Sequence, residues 1–447
     1  MGRILASALF AALLLAAAVP VLAADLVQIY RLAQGSDAVY AAARATWTAA
    51  QEKLPQGRAG LLPSVTFSAT TQKNDRETEF RNPFVTQRTV AEQFNSNNWN
   101  VTLTQPLYRR QNFIAYEQAK TQVGQADTQL ALAGQDLILR VSQAYFDVLL
   151  ANNNVELAAA QKTAISEQLA QAKRNFEVGT ATITDTHEAQ ARYDLAVAQE
   201  IAAQNDLEIK RRQLAQIIGR PAPGLALLAR DIKLELPQPS RIEPWVEEAI
   251  RASLPVVIAE ATVVFARQEV DRVRGGHHPT LDVVATYTDT GSGAGQQFGT
   301  AGAFDSTNKT IGVQLAVPLY QGGATASRVR EALANEDRAR QELENARRTA
   351  ELSVRQAFLG VTNGVAQVNA LRAALVSSQS SLDSTRLGLE VGVRTQVDVL
   401  NAQQQLFSTR RDLAQAAYNY VLSVLRLNAA VGRIAEDDLA RLNAWLK

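Results

Sequence analysis

The sequence predicts an α+β membrane protein made of two copies of one unit, each an amphipathic β-hairpin followed by a very long helical hairpin. Three observations predict it. First, Glu177, Val178, Gly179, Asp185, Ala189, Gln190, Gly219 and Arg220 recur as Glu390, Val391, Gly392, Asp398, Ala402, Gln403, Gly432 and Arg433, every pair 213 residues apart. Pro106, Leu107, Tyr108 and Phe146 recur as Pro318, Leu319, Tyr320 and Phe358 at 212, a slip of one residue. Solenoid repeats run to roughly 20 to 50 residues, so this period marks two large copies of one substructure. Second, all 13 prolines lie outside two windows, Leu107 to Arg220 and Leu319 to Lys447. Third, the segments ahead of those windows alternate apolar and polar residues with the period of a strand.

Residues 1–24 carry Arg3, an apolar run from Ile4 to Val19 and small residues at Ala23 and Ala24. This is the pattern of a signal peptide, expected to be cleaved after Ala23 or Ala24. The run is short for a bilayer span of about 20 residues. The chain contains no Cys, which excludes disulfides, thiolate metal sites and a lipid-bearing cysteine at the cleavage site. Its 45 basic and 44 acidic residues leave no broad cationic surface, so nucleic acid is not an expected partner. Beyond Ala24 no run of 18 apolar residues occurs, and a membrane role must use strands or an interfacial surface.

The first repeat, 25–220, opens with a helix from Leu26 to Gln56. Strands follow in which Val65, Phe67 and Ala69 alternate with Ser and Thr, and Trp99, Val101 and Leu103 alternate with Asn and Thr. The window behind them is rich in Ala, Gln, Leu and Glu. Leu137, Val141, Ala144, Val148, Ala151 and Val155 alternate steps of four and three, and Val354, Phe358, Val361, Val365 and Val368 do the same in the second window. A mean spacing near 3.5 residues is the seam of a left-handed coiled coil. Gly179 and Gly392 break the windows once each, with Asp185 and Asp398 placed to cap the helix that follows. The first helix of each hairpin would be about 100 Å long at 1.5 Å per residue.

A connection over 221–244 contains Pro221, Pro223, Pro237, Pro239 and Pro244. The second repeat, 245–447, begins with a helix to about Arg274. Strands follow with Leu281, Val283, Ala285 and Tyr287 on one face, and with Ile311, Val313, Leu315 and Val317 on another. Long polar or Gly-rich stretches, Asn74 to Asn97 and Asp289 to Asn308, join the strands on one side, whereas the other ends run directly into helices. Outer-membrane barrels share this asymmetry of loops. Four strands cannot close a barrel in lipid, where an open edge leaves backbone groups unpaired. Two protomers would supply eight strands and a filled interior. Three would supply twelve and a water-filled lumen, the arrangement preferred here.

The stretches NFEVGTATITDTHEAQA (175–191) and LEVGVRTQVDVLNAQQQLFST (389–409), with QPLY at 105–108 and VPLY at 317–320, resemble the TolC family of outer-membrane efflux and secretion channels. The likeness covers essentially the whole mature chain. It implies a homotrimer with a twelve-stranded β-barrel, four strands per protomer, in the outer-membrane lipid, continued by a long α-helical coiled-coil tunnel in the periplasm. It also implies an exit duct of a tripartite efflux pump or type I secretion system. The partners would be a periplasmic adaptor protein and an inner-membrane transporter of the RND or ABC class.

The resemblance further places Asp398 in a ring of carboxylates at the pore constriction. Asn401 stands at the next position inward, where the family often has a second Asp. One ring of three carboxylates favours cations, and their repulsion should raise their pKa values as a coupled set. Arg394 is placed as a gate lock bonding Thr184 and Asp185, and Leu389 stands at an aromatic position of that lock. Gly179 and Gly392 are the glycines of the hairpin turns.

Other motifs give little. His277 and His278 are adjacent and point to opposite faces of a strand, against a shared metal. His187 near Asp185 allows a pH-sensitive contact. Gly291, Gly293, Gly295 and Gly299 have no Lys-Ser/Thr behind them, so they form no phosphate loop. No HExxH or GxSxG occurs, and no enzyme activity, cofactor or metal is expected. The competing reading is a periplasmic coiled-coil structural or adhesion protein that conducts nothing.

Overall fold

In the computed structural model, residues 23–79, 89–229, 232–293, 296–297 and 300–446 are described; the signal-peptide expectation therefore falls almost wholly outside the described residues, as do Gly295 and Gly299. In chain order the elements are α1 (Leu26–Ser36), α2 (Ala38–Gln51), α3 (Lys53–Ala59), β1 (Ser64–Glu79), β2 (Thr89–Tyr108), α4 (Arg110–Glu177), α5 (Ile183–Ile218), α6 (Glu243–Ala252) and α7 (Leu254–Arg274). After a 3₁₀ turn come β3 (Thr280–Ser292), β4 (Gln296–Gln297), β5 (Thr300–Ala301), β6 (Phe304–Ala316), α8 (Ala324–Glu390), α9 (Gln396–Ala430) and α10 (Glu436–Asn443). The chain divides into two compact units, one of residues 1–45, 129–257 and 345–447, the other of 46–128 and 258–344.

The second unit holds a four-stranded antiparallel sheet in the order β1-β2-β3-β6. Its register fixes two faces. Val65, Leu103, Val283 and Val313 fall on one face with Phe67, Val101, Tyr287, Ala285 and Ile311. The opposite face carries Ser64, Thr66, Ser68, Asn100, Thr102, Thr104, Thr286 and Gln314. The apolar face is bare: Val65, Phe67 and Val313 are each 65% exposed and Ile311 81%. Trp99 stacks on Tyr287 at 5.2 Å and lies 6.4 Å from Phe67, with the Lys309 ammonium over the Tyr287 ring. Such an aromatic cluster with a cationic rim suits a membrane interface. At the helix-proximal end, Arg109 at the head of α4 grips Asp282 of β3 with two bonds of 2.8 and 2.7 Å.

The strands outrun the roughly ten residues of a membrane-spanning stave, with 16 in β1 and 20 in β2. Much of the polar stretch read as a loop is a paired extension, held by Arg76 to Glu92 at 2.6 Å, Asn74 to Ser96 at 2.8 Å and Gln93 to Asp75 at 3.0 Å. Polar cross-strand pairs can carry a ribbon beyond its apolar band, so the band and not the ladder marks the membrane depth. The Gly-rich stretch likewise holds a small antiparallel pair, β4 with β5.

The first unit has the larger core. Leu137, Val141, Val148 and Ala151 of the first seam, and Val354, Phe358, Val361 and Val368 of the second, are buried in one cluster with Tyr420, Val421 and Leu425 of α9. The Pro-rich connection is threaded over this core. Tyr145 donates its buried hydroxyl to Ala226 O at 2.8 Å and Ala24 O at 3.2 Å, while Tyr420 both donates to Glu235 O and accepts from Glu235 N.

Two expected helices are each broken. The chain read as one helix from Leu26 to Gln56 stops at Asp37, whose ψ of 119° is extended. Asp37 accepts from Tyr40 N at 2.6 Å, which caps α2. The helix expected from Trp245 to Arg274 breaks at Ser253, with ψ of 133°, two residues before Pro255. A proline forbids helical bonding upstream of itself, and this one sits at the start of α7.

Asp37 is buried and clasped by Arg140 through bonds of 2.9 and 3.0 Å. The guanidinium holds the Asp37 carboxyl below its usual range. A carboxyl depressed in the folded state stabilises it above the unfolded value of about 4, and that contribution fades as pH falls through the folded value. Asp37→Ala leaves the guanidinium without its main partner and removes a helix cap, which should cost about 3 kcal/mol near neutral pH. Chemical denaturation should show the deficit against the parent narrowing as pH falls below 4.

Candidate functional site at the helical hairpin turns

Each helical hairpin turns in the same way. Gly179 and Gly392 have φ of +78° and +79°, the left-handed conformation that closes a helix at low cost for glycine. Asn175 O accepts from Thr180 N and Ala181 N, and Gly388 O accepts from Val393 N and Arg394 N, at positions 213 residues apart. The helices that follow both start with a capping box. Thr182 and Thr395 are the N-caps, each accepting from the N–H of Asp185 or Asp398 at 3.2 Å, while that carboxylate accepts from the Thr backbone N–H at 2.9 Å. This corrects the expectation that the aspartates are themselves the caps. They stand at the third helical position, and threonine three residues earlier takes the cap, as the T-x-x-D pattern prescribes.

Asp398 therefore has its carboxylate occupied within its own helix. Donation from the Thr395 backbone and hydroxyl, with a smaller effect of the Arg394 charge, holds its pKa below the ordinary range. The rise expected from mutual repulsion belongs to an assembled ring and would act against this lowering.

Thr184 and Asp185 lie on the first turn of α5. Arg394 does not join them within one protomer: no hydrogen bond or ion pair links it to either among the described residues. Its stem instead lies over Gly388, where an added Cβ would come within 2.6 Å of Arg394 Cγ. Leu389, at the position of an aromatic in the expected lock, packs on the apolar cluster of Leu382, Val399 and Leu406. The first hairpin has its own cluster of Leu169, Ala189 and Tyr193, in which Leu169 and Tyr193 match Leu382 and Leu406. His187 is exposed.

Near the turns the two hairpins are joined through residues that, Asn401 apart, the sequence reading passed over. Arg192 of α5 donates to Gln404 Oε1 at 2.6 Å and to Asn401 Oδ1 at 3.2 Å, both on α9, while its Nε faces Glu188 at 3.2 Å. Gln396 of α9 donates to Gln168 of α4 at 2.5 Å. The signal for Arg192 lay in the i,i+4 pair it forms with Glu188, and in the 213-residue offset that makes Glu188 the counterpart of Asn401. Gln403 is 1% exposed, and neither amide atom has a partner among the described residues. No group of three His, Asp or Glu placed to hold a metal occurs among the described residues.

Among known families, the one described as outer membrane efflux protein matches residues 29–220 and 245–433. The chain is 33% identical to the outer membrane protein TolC of Vibrio cholerae over 425 residues, covering 95% of this chain and 94% of that protein. It is 30% identical to the proteases secretion protein PrtF of Dickeya chrysanthemi, over 95% of this chain and 92% of that one. The fold is shared with the solved outer membrane protein VceC of Vibrio cholerae, with a TM-score of 0.75 at 17% identity over 91% of this chain and 96% of that chain.

Replacing the cap at either turn tests the local geometry. Thr182→Ala and Thr395→Ala should each cost about 1 kcal/mol and leave the helices intact, as read by thermal melts and circular dichroism. Gln403→Leu removes a buried amide without partners and should gain about 1 kcal/mol in the same melts.

Proposed function

The chain belongs to the outer membrane efflux protein family, and from that premise we propose how its hairpin turns work. It is an outer-membrane exit duct of the type used in efflux and type I secretion. The family is one of outer-membrane channels, which are not enzymes. Its members are homotrimers that work with adaptor proteins and inner-membrane transporters. Each protomer here contributes the four strands β1, β2, β3 and β6 to a twelve-stranded barrel. The observation that carries this is the sheet itself: among the described residues its two edges are unpaired and its apolar face is bare, so it is complete only among copies of itself in lipid.

At the periplasmic end, the turns at Gly179 and Gly392 form the gate. Asp398 supplies the constriction, three carboxylates in one ring that attract cations, and Asn401 supplies an uncharged second layer. Arg394 of one protomer locks the closed state by reaching Thr184 and Asp185 of its neighbour, a role supported by its freedom from any such bond inside its own protomer. The repeats at 25–220 and 245–447 act as two hairpin arms joined by the 221–244 connection. The transporter served is of the RND or ABC class, reached through an adaptor. The similarity to PrtF and to the alkaline protease secretion protein AprF of Pseudomonas aeruginosa favours an ABC exporter of unfolded protein.

In planar bilayers, Asp398→Ala should lower the cation over anion permeability ratio, read from the reversal potential in a salt gradient, by on the order of threefold. A reversal potential equal to the parent's would sink the carboxylate ring.

A further inference from the structure

Arg192 differs from the other ion-paired arginines of α5 and α8, and near the turns it makes the kind of crossing to the other repeat that Arg426 makes to Gln143 farther along α9. Most of the arginines with an ion pair on α5 and α8 bond a carboxylate four residues away on their own helix, as Arg212 does with Glu208 and Arg355 with Glu351. Arg192 also has such a mate in Glu188, but spends only Nε on it, at 3.2 Å. Its two remaining nitrogens cross to the other repeat, with Nη1 to Gln404 Oε1 at 2.6 Å and Nη2 to Asn401 Oδ1 at 3.2 Å. The acceptors are three residues apart on α9, which puts both amides on one helical face within reach of one planar fork. The guanidinium side chain is 29% exposed, partly shielded from the water that would compete for its bonds.

The duplication sharpens the point. Glu188 and Asn401 are the same position in the two copies, 213 residues apart, and both bond the one guanidinium. The position matching Arg192 in the second copy is Gln405, so the tie exists once per protomer and runs in one direction. Asn401 lies three residues from Asp398, one turn further along α9.

We propose that Arg192 is the positioning residue that ties the two helical hairpins of one protomer together at the gate, holding Asn401 and Gln404 of the second hairpin against the first in the resting, closed state. The tie rests on the placement of these turns at the channel's closed end. It also leaves the second layer of the constriction without net charge: the Glu188 carboxylate and the Arg192 guanidinium cancel, and Asn401 adds nothing. The single Asp398 ring is then left as the main source of selectivity among these groups. An amide at 401 accepts a bond from Arg192 without the ion pair that a carboxylate there would form, so the tie is a hydrogen bond that opening can break.

The test uses full-length trimers in planar bilayers. Arg192→Ala should raise the mean resting conductance about tenfold, the loss of two charge-assisted bonds across the hairpins. Asn401→Ala, at an exposed position, should raise it by a smaller factor. The double variant should match Arg192→Ala alone, because the shared bond can be lost only once. Arg192→Lys keeps the charge without the fork and should restore part of the closure. Heat-resistant trimers on gels establish assembly, and Asn401→Ala probes the same bond from the other side if Arg192→Ala does not assemble. Independent, additive effects of the two single changes, or a parental conductance in both, overturn the tie. Asp398→Ala, run alongside, separates the two ideas: a shifted reversal potential with silent Arg192 and Asn401 variants keeps the constriction and discards the tie. The converse pattern keeps the tie and discards the ring.

Discussion

Unpaired backbone in lipid is the constraint on which this protein turns. The sheet β1-β2-β3-β6 offers the N–H and C=O groups of two edge strands and an apolar face bearing Phe67, Val101, Val313 and Ile311. In hydrocarbon each unpaired backbone group costs several kcal/mol, a penalty no rearrangement within four strands can remove. Self-association is the only source of the missing hydrogen bonds. Threefold assembly follows for the family and, with it, the convergence of identical side chains that is the premise of the ring proposed for Asp398.

The helical part solves a different problem. Helices of 68 and 67 residues cannot be stabilised by propensity alone, and they are not strongly amphipathic over their whole length. They are held where their 3.5-residue seams meet α9 and the threaded connection, with Tyr145 and Tyr420 fixing the connection's carbonyls. Toward the turns the packing thins to two small clusters, Leu169 with Ala189 and Leu382 with Val399 and Leu406. Sparse packing and polar ties such as Arg192 to Gln404 suit the opening proposed for these turns, because regions with few buried apolar contacts open at low free energy.

Duplication gave the two hairpins identical turns and then let their roles diverge. The glycine conformations, the carbonyls at Asn175 and Gly388 and the capping boxes of Thr182 and Thr395 are common to both. The differences are side chains: Glu188 against Asn401, Arg192 against Gln405, Ala181 against Arg394. The backbone thus supplies a symmetric frame, and a handful of substitutions within it make the first hairpin the donor in the Arg192 contact, while Gln396 of the second donates to Gln168 of the first.

Sequence by itself determined the architecture, because its causes are local or periodic. Proline exclusion, the steps of four and three, alternation in the strands and the 213-residue echo each report a rule the backbone obeys wherever it goes. Local chemistry was also readable but was misread once: T-x-x-D around Asp185 and Asp398 names threonine as the cap. The tertiary structure alone decided which side chains meet across long separations. Arg192 and Gln404 are 212 residues apart and Asp37 and Arg140 are 103 apart. Neither pairing leaves a periodic trace, since a hydrogen bond between helices depends on their register and rotation, and these are fixed only when the apolar seams close.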